Sequence, residues 1–436
     1  MPANKVTQNI NAVAAATPDG ESVALVARQP IYGKAMTVEA YELQYATSGH
    51  EPATPGGPRE AALRILADAA LDIGLDRLAG GLPIYIHYAR ELLMAEEPLS
   101  LHPDRVIIEI PGTLRAEEPV LRGIRTLRQR GHHIALDDFA MHLTLPAVLD
   151  LVDIVKVPLS AFAPAQLERL APDLIRRGLK LIAKNVATIE QFEHASQLGF
   201  DGFQGDFLTR PQQFHSQRAP RNGIATLRLV AAVQNPDCTM REVEQMISQD
   251  LSMSYRVLRC INSSFYNLSQ KVDSIRQALV LLGMDNLRQL CCLAALQQLE
   301  NRPPSLFVTA MARAHMCEQL ARLAGQTPTA PYFITGLFSM LDVLMGMPMA
   351  KIVDELPLVP AVENALVAGE GDAGAALACA KAYESATWIH ARYRDIAPHL
   401  IRAAYLDAVY GAEQALLQMQ TPGAGVSAPP VRPGRR

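Results

Sequence analysis

From Val23 to about Pro211, short apolar and β-branched runs alternate with longer segments whose apolar positions recur at helical spacing. From about Ala219 onward, helical-period segments follow one another with hardly a strand. The runs Ala24 to Arg28, Leu82 to Ile86, Val106 to Ile110, Ile134 to Leu136, Ile154 to Val157, Leu179 to Ala183 and Gly202 to Phe207 predict strands. Between them, Ala116 to Arg130 carries Val120, Leu121, Ile124 and Leu127 on one stripe and stops at Gly131, while Thr188 to Leu198 opens with an N-cap threonine. Repeated strand-helix units imply a parallel sheet with right-handed crossovers, either closed as a β/α barrel or open and doubly wound. Two domains of different class should meet near Gln212 to Arg221.

Polar residues choose between the two sheet forms. Almost every predicted strand ends in one: Glu109, Asp137 with Asp138, Lys156, Lys184 and Gln204. A barrel gathers such positions on one rim, whereas an open sheet spreads them along an edge, so a convergent site favours the barrel. In the second half, Thr239 with Glu242 and Ser274 with Gln277 form capping boxes, and Gly283 should end the helix that the second box starts. Apolar stripes continue at Leu287, Leu290, Cys291 and Ala294, then around Met311 to Leu323, Phe333 to Met345 and Met349 to Asp354, without a fixed repeat. The methionines from Met340 to Met349 are expected in the core.

Composition narrows the class. The 436 residues exclude a single small domain, and 40 basic against 44 acidic side chains give no basic excess for coating DNA. Six cysteines, all at or beyond Cys238 and none in C-x-x-C spacing, fit a reducing compartment. No apolar run suits a signal peptide or a membrane span, so a cytoplasmic location without membrane insertion is expected. Residues 1–22 and 421–436 are too poor in apolar side chains to offset ordering entropy and are expected to be disordered.

Several segments carry a resemblance. ARQPIYGKAMTVEAYEL (27–43), VIIEI (106–110), LDDFAM (136–141), VDIVKVPLSAF (152–162), LIAKNVAT (181–188) and LGFDGFQGDFLTRP (198–211) make residues 23–212 resemble the EAL domain. That family is a β/α barrel that hydrolyses the bacterial second messenger cyclic di-GMP. LRCINSSFYNLSQKVDSIRQALVLLGMDNLRQL (258–290) and GLFSMLDVLMGMPMAKIVDELPL (336–358) make residues 213–410 similar to the HDOD domain. This is a helical relative of HD-type phosphohydrolases without their metal ligands. The implied fold is α/β plus all-α: an EAL-type, TIM-like barrel followed by an HDOD helical bundle.

The family reaction needs divalent ions to activate water, and a general base. By the resemblance, Glu42, Glu109, Asp137 and Asp138 match ligand carboxylates, Lys156 and Gln204 also match, and His87 falls where the family has a metal-binding asparagine. The departures fall where catalysis is most demanding. Leu43 and Gln44 replace the Ala-Leu of the signature, Ala46 stands in place of an arginine, and Pro158 in place of an aspartate. Lys184 and Ala187 replace two glutamates, the first of them the general base. An ammonium there holds neighbouring carboxylates ionised and competes with a cation for their oxygens. Four rim carboxylates against Lys156 and Lys184 leave −2 if all are ionised, and Lys184 is expected to replace lost metal charge. A plainer reading makes these groups solvated surface ion pairs, each contributing about 0 to 1 kcal/mol.

The helical half has no His-Asp dipeptide and no Gly-Tyr-Pro segment, and His315 lacks an aspartate neighbour. His132 and His133 are accounted for by a helix C-terminus. Asn262, Ser263 and Tyr266 look like turn chemistry linking two helices, with Gly283 completing the HDOD motif. The expectation is a non-catalytic signal-transduction protein with no catalytic residue, no metal and no cofactor. Its partners would be other signalling proteins, in cyclic di-GMP-linked control of motility, biofilm or stress. The alternative is a residual phosphodiesterase using magnesium or manganese, or a metal-independent receptor for cyclic di-GMP.

Overall fold

The computed structural model describes residues 24–47, 75–88, 90–94, 101–139, 146–209, 229–233, 238–249, 251–262, 272–296, 303–356 and 358–420. Its first part is a closed barrel of eight strands: β1 Ala24–Tyr32, β2 Val38–Thr47, β3 Ile84–His87, β4 Val106–Pro111, β5 Ile134–Asp137, β6 Ile154–Pro158, β7 Lys180–Lys184 and β8 Gly202–Phe203. Neighbours from β2 to β8 run parallel, while β1 is antiparallel to both β2 and β8. Barrel helices are α1 Leu75–Ala79, α2 Arg90–Leu93, α3 Glu118–Gln129, α4 Pro146–Leu149, α5 Pro164–Arg176 and α6 Ile189–Gln197.

The period of two along each strand sorts the side chains. Ile31, Ala40, Tyr85, Ala135, Ile154 and Ile182 form a separate apolar cluster inside the barrel, with Ile107 packed against it. Two residues further along the parallel strands lie Glu42, His87, Glu109, Asp137, Lys156 and Lys184. The same inward face therefore changes from an apolar layer to a charged one at the C-terminal ends, where barrel sites are built.

Two strand expectations need correction. β2 was absent from the predicted strands although it carries Glu42: Glu39, Glu42 and Gln44 interrupt it, so it holds no continuous apolar run like those that marked the other strands. The run from Gly202 gives only a two-residue strand. Gly205 then turns the chain, with φ 154° and a Cβ position only 2.1 Å from the Val186 carbonyl oxygen, so only glycine permits this approach. Gly131 takes φ 93° after α3, and the Thr188 hydroxyl accepts from Gln191 N–H at 3.3 Å.

The second part is helical: α7 Met240–Gln249, α8 Leu251–Ile261, α9 Ile275–Leu296, α10 Pro304–Leu323, α11 Ala330–Phe338, α12 Leu341–Met345, α13 Met349–Val353, α14 Pro360–Val367, α15 Gly371–Glu384 and α16 Pro398–Gln420. Helix α10 packs against α11, α15 and α16, burying Ala310, Ala314, Cys317 and Leu320. Both Thr239 and Ser274 cap as expected. Gly283 breaks its helix at φ 79° and ψ 171°, but helix resumes at once, so α9 is a bent pair where a stop was expected. Met340 and Met345 lie in the core. Both terminal segments expected to be disordered lie outside the described residues.

The junction follows from the hairpin. β1 and β2 are joined by a tight turn closed by Gly33 N–H donating to Thr37 O at 2.9 Å, so no crossover helix covers the outside of β1. Helices α15 and α16 pack against β1, and α16 also packs against α1.

Candidate functional site

The charged inner layer forms two bridged clusters. Lys156 is wholly buried on β6, and its Nζ donates to Glu42 Oε2 and, at 2.7 Å, to Glu109 Oε1. The ammonium also lies 5.3 Å from the centre of the Tyr85 ring. Gln204, held by N–H donation to Ala183 O at 2.8 Å, donates Nε2 to Glu42 Oε2 at 2.7 Å and to Gln29 Oε1 at 2.8 Å. At the end of β7, Lys184 Nζ lies 2.6 Å from Asp137 Oδ1 and 2.9 Å from Asp138 Oδ1. Asp138 and Asn185, just past β5 and β7, take φ values of 46° and 58°, a left-handed conformation that Asp and Asn tolerate better than most side chains.

All eight rim residues singled out from the sequence thus converge. The surface-pair reading fails for the inner cluster, because Glu109 is 1% exposed and Lys156 0%. His87 is half-buried on β3 in register with Glu109. Burial lowers its imidazole below the ordinary range, while Asp137 and Glu42 pull the other way. Sequence reading missed Gln29 and Tyr85. Gln29 lies opposite Glu42 in the β1–β2 register, a signal visible only once β2 is known to be a strand.

Burial and charge compete at each group. Burial works to raise Glu42, but Lys156 and the hydrogen bonds from Lys156 and Gln204 outweigh it and hold the carboxyl below its usual range. Glu109 goes the other way: burial, opposed by Lys156 and assisted by Glu42 and Asp137, pushes it up to about 8. Its Oε2 is buried without a hydrogen-bond partner, as fits a carboxyl that takes up a proton. Burial favours a neutral Lys156, yet Glu109, Glu42 and Asp137 overcome it and keep the ammonium charged. The same balance raises Lys184, with Asp137 as the main opposing charge.

In the helical half, Asn262 does the turn work expected of it. Its Nδ2 donates to Leu258 O at 2.8 Å and Val272 O at 2.7 Å, and its Oδ1 accepts from Val272 N–H at 2.7 Å. Ser263 and Tyr266 lie outside the described residues. Burial pushes His315 down to about 4, assisted by Arg322, with its ring edge-on to Phe333.

An EAL domain model matches residues 87–211 and an HDOD domain model matches residues 223–355. The chain carries an EAL domain followed by an HDOD domain. It is 28% identical to the uncharacterized protein YuxH of Bacillus subtilis over 372 residues, covering 83% of this chain and 91% of that one. It is also 28% identical over 369 residues to the cyclic di-GMP phosphodiesterase CdgJ of Vibrio cholerae, covering 83% of this chain and 85% of that one. Among solved structures, the calcium and cyclic di-GMP complex of Klebsiella pneumoniae BlrP1 at pH 8.0 aligns with 20% identity and a TM-score of 0.38. That alignment covers 43% of this chain and 55% of the other.

The EAL resemblance implies magnesium or manganese at the rim, and the residues present do not fit such an ion. Among the described residues, no group of three or more His, Cys, Asp or Glu side chains could hold a metal. The departure is Lys184, whose ammonium lies between Asp137 and Asp138 and pairs with carboxylate oxygens that a divalent ion would need. Among the described residues, no helix is long and apolar enough to cross a membrane.

Proposed function

We propose that this protein is a non-catalytic signal-transduction protein, in which a degenerate EAL barrel and an HDOD domain act by contact with other signalling proteins in cyclic di-GMP-linked regulation. The observation that carries this reading is Lys184 Nζ within 2.9 Å of carboxylate oxygens of both Asp137 and Asp138. A protonated ammonium cannot take a proton from water, so it cannot serve as a general base. It also neutralises the oxygens that a divalent ion would need, and the ion would have to displace it. Kinship to CdgJ links the chain to cyclic di-GMP signalling, while the charge arrangement argues against turnover.

Incubating the full chain with cyclic di-GMP and manganese, and separating the products by chromatography, tests this reading. No linear dinucleotide is expected, and calorimetry should detect no micromolar manganese site. Turnover that disappears in Glu42→Ala would replace the proposal with a working phosphodiesterase. In Lys184→Glu, which trades the ammonium for a carboxylate, manganese affinity should rise by about tenfold or more, equivalent to about 1.4 kcal/mol.

A further inference from the structure

A second buried ion network joins the two domains on the opposite face of the same hairpin. Arg28 is 6% exposed, and its Nη1 lies 2.6 Å from Glu413 Oε1 on α16 and donates to Leu78 O on α1. The guanidinium lies over the Tyr41 ring at 4.0 Å, and the Tyr41 hydroxyl donates to the same Glu413 Oε1 at 3.0 Å. The Arg28 N–H points to the Tyr405 hydroxyl at 3.4 Å, and Arg77 of α1 pairs with Asp407. Alongside this contact runs a cleft of about 1040 Å³, lined by Gln29 and Gln44 from the barrel and by Arg313 and Lys381 from the helical domain.

Adjacent residues of a strand point to opposite faces, and here each adjacent pair divides between the two networks. On β1, Arg28 faces the helical domain and Gln29 faces the rim. On β2, Tyr41 faces the helical domain and Glu42 the rim. The register Gln29↔Glu42 and Pro30↔Tyr41 fixes both sets in one ladder, so neither can shift along the strand without moving the other. A one-residue slip would exchange the faces altogether. Each network is also tied to a second element, the rim through Gln204 after β8 and the clamp through Glu413 of α16.

We infer that the β1–β2 hairpin is a two-sided strut that couples the arrangement of the barrel rim to the docking of the helical domain, through Gln29 and Glu42 on one face and Arg28 and Tyr41 on the other. The helical domain is thus the partner for a barrel surface that the hairpin topology leaves without a crossover helix. A ligand or protein that rearranges either side shifts the other, and linkage makes the effect reciprocal. This goes beyond the non-catalytic reading and does not depend on it.

Hydrogen exchange read by mass spectrometry on the full chain tests the coupling without any ligand. Gln29→Ala removes a rim contact and leaves every clamp side chain in place. It should speed exchange in the α16 segment 404–412 by about fivefold or more, with α14 unchanged. Glu413→Gln should in turn speed exchange at Val186 and Gln204, whose N–H groups bind Gln204 O and Ala183 O. The double variant should exchange more slowly than the product of the single effects predicts. Effects confined to the mutated side, or a double variant equal to that product, would overturn the coupling. Should Gln29→Ala fail to fold, Gln29→Asn shortens the same side chain by one methylene and makes the same prediction. Detection of hydrolysis would sink the non-catalytic reading and leave this one standing, since exchange reads no turnover.

Discussion

Lys156 in the barrel and His315 in the helical domain are both basic side chains taken out of water, yet they end in opposite states. Burial works against charge on each. For Lys156 three carboxylates outweigh it, whereas His315 has only the like charge of Arg322 and falls to about 4. The thiols of Cys317 and Cys379 follow His315, pushed up to about 12 and so kept neutral. Arg313 and Glu318 keep charged partners on the helical side: the Arg313 fork grips both oxygens of Glu384 at 2.7 and 3.0 Å, and Arg322 donates to Glu318 at 2.6 Å. The difference is topological. A closed barrel brings the ends of β2, β4, β5, β6 and β7 to one rim, so carboxylates and lysines distant in sequence gather there, whereas His315 is buried against the Phe333 ring.

The largest expected effect breaks the charged side of this contrast. Lys156→Met leaves Glu42 and Glu109 buried without their shared cation, and removing one partner of a buried pair typically costs about 3 to 5 kcal/mol. Urea denaturation should show a loss of that size. Adding Glu42→Gln should restore more than half of it, since Glu42 is the carboxylate held ionised by Lys156 while Glu109 keeps its proton, and the loss arises from uncompensated charge and not from the missing methylenes. A loss under about 1 kcal/mol for Lys156→Met would mean that the cluster is solvated after all.

Acid and alkali should separate the two halves. Glu109 is raised from an ordinary value of 4.5 to about 8, so the folded protein holds a proton that the unfolded chain has released. Its contribution to stability is complete below pH 4.5 and lost as pH rises through about 8. His315 is lowered from 6.5 to about 4, so the unfolded chain binds the proton first. Its contribution is complete above pH 6.5 and lost as pH falls toward 4. Each slope is limited to about 1.4 kcal/mol per pH unit. Thermal melts from pH 5 to 8.5 should show the alkaline loss flattened in Glu109→Gln and the acid loss reduced in His315→Phe. Between pH 6.5 and 8 only the first variant should change the slope. If both variants leave both slopes intact, the contrast between the domains has no titrating basis.

Much of this was legible in the sequence, and what was not has definable causes. Seven strands and the rim set from Glu109 to Gln204 were readable because polar residues end apolar runs at strand spacing. β2 was not, since Glu39, Glu42 and Gln44 break it up and leave no continuous apolar run of the kind that marked the other strands. Lys184 stood out by comparison with the EAL pattern, but its bridging of Asp137 and Asp138 required the curvature of the barrel. The clamp left no local signal. Arg28 and Glu413 lie near opposite ends of the described chain, and a lone arginine on a strand or glutamate on a helix is ordinary surface chemistry. Gly283 announced a break through its composition, though not that helix would resume directly after it.

The smallest expected effect sharpens the question of whether two such different domains unfold together. Thr188 caps α6 in the barrel by accepting from Gln191 N–H at 3.3 Å, and Thr239 caps α7 in the helical domain by accepting from Glu242 N–H at 3.3 Å. Replacing either with alanine removes an N-cap worth about 1 kcal/mol. Thr239 adds a reciprocal bond, its N–H donating to Glu242 Oε2 at 2.8 Å, so Thr239→Ala should be slightly the more costly. If the clamp makes the chain one cooperative unit, either variant shifts a single calorimetric transition. If the domains melt separately, Thr188→Ala moves only the barrel transition and Thr239→Ala only the helical one. A single transition is expected, because the buried Arg28 to Glu413 pair and the packing of α15 and α16 on β1 would both have to be exposed to water for one domain to unfold alone.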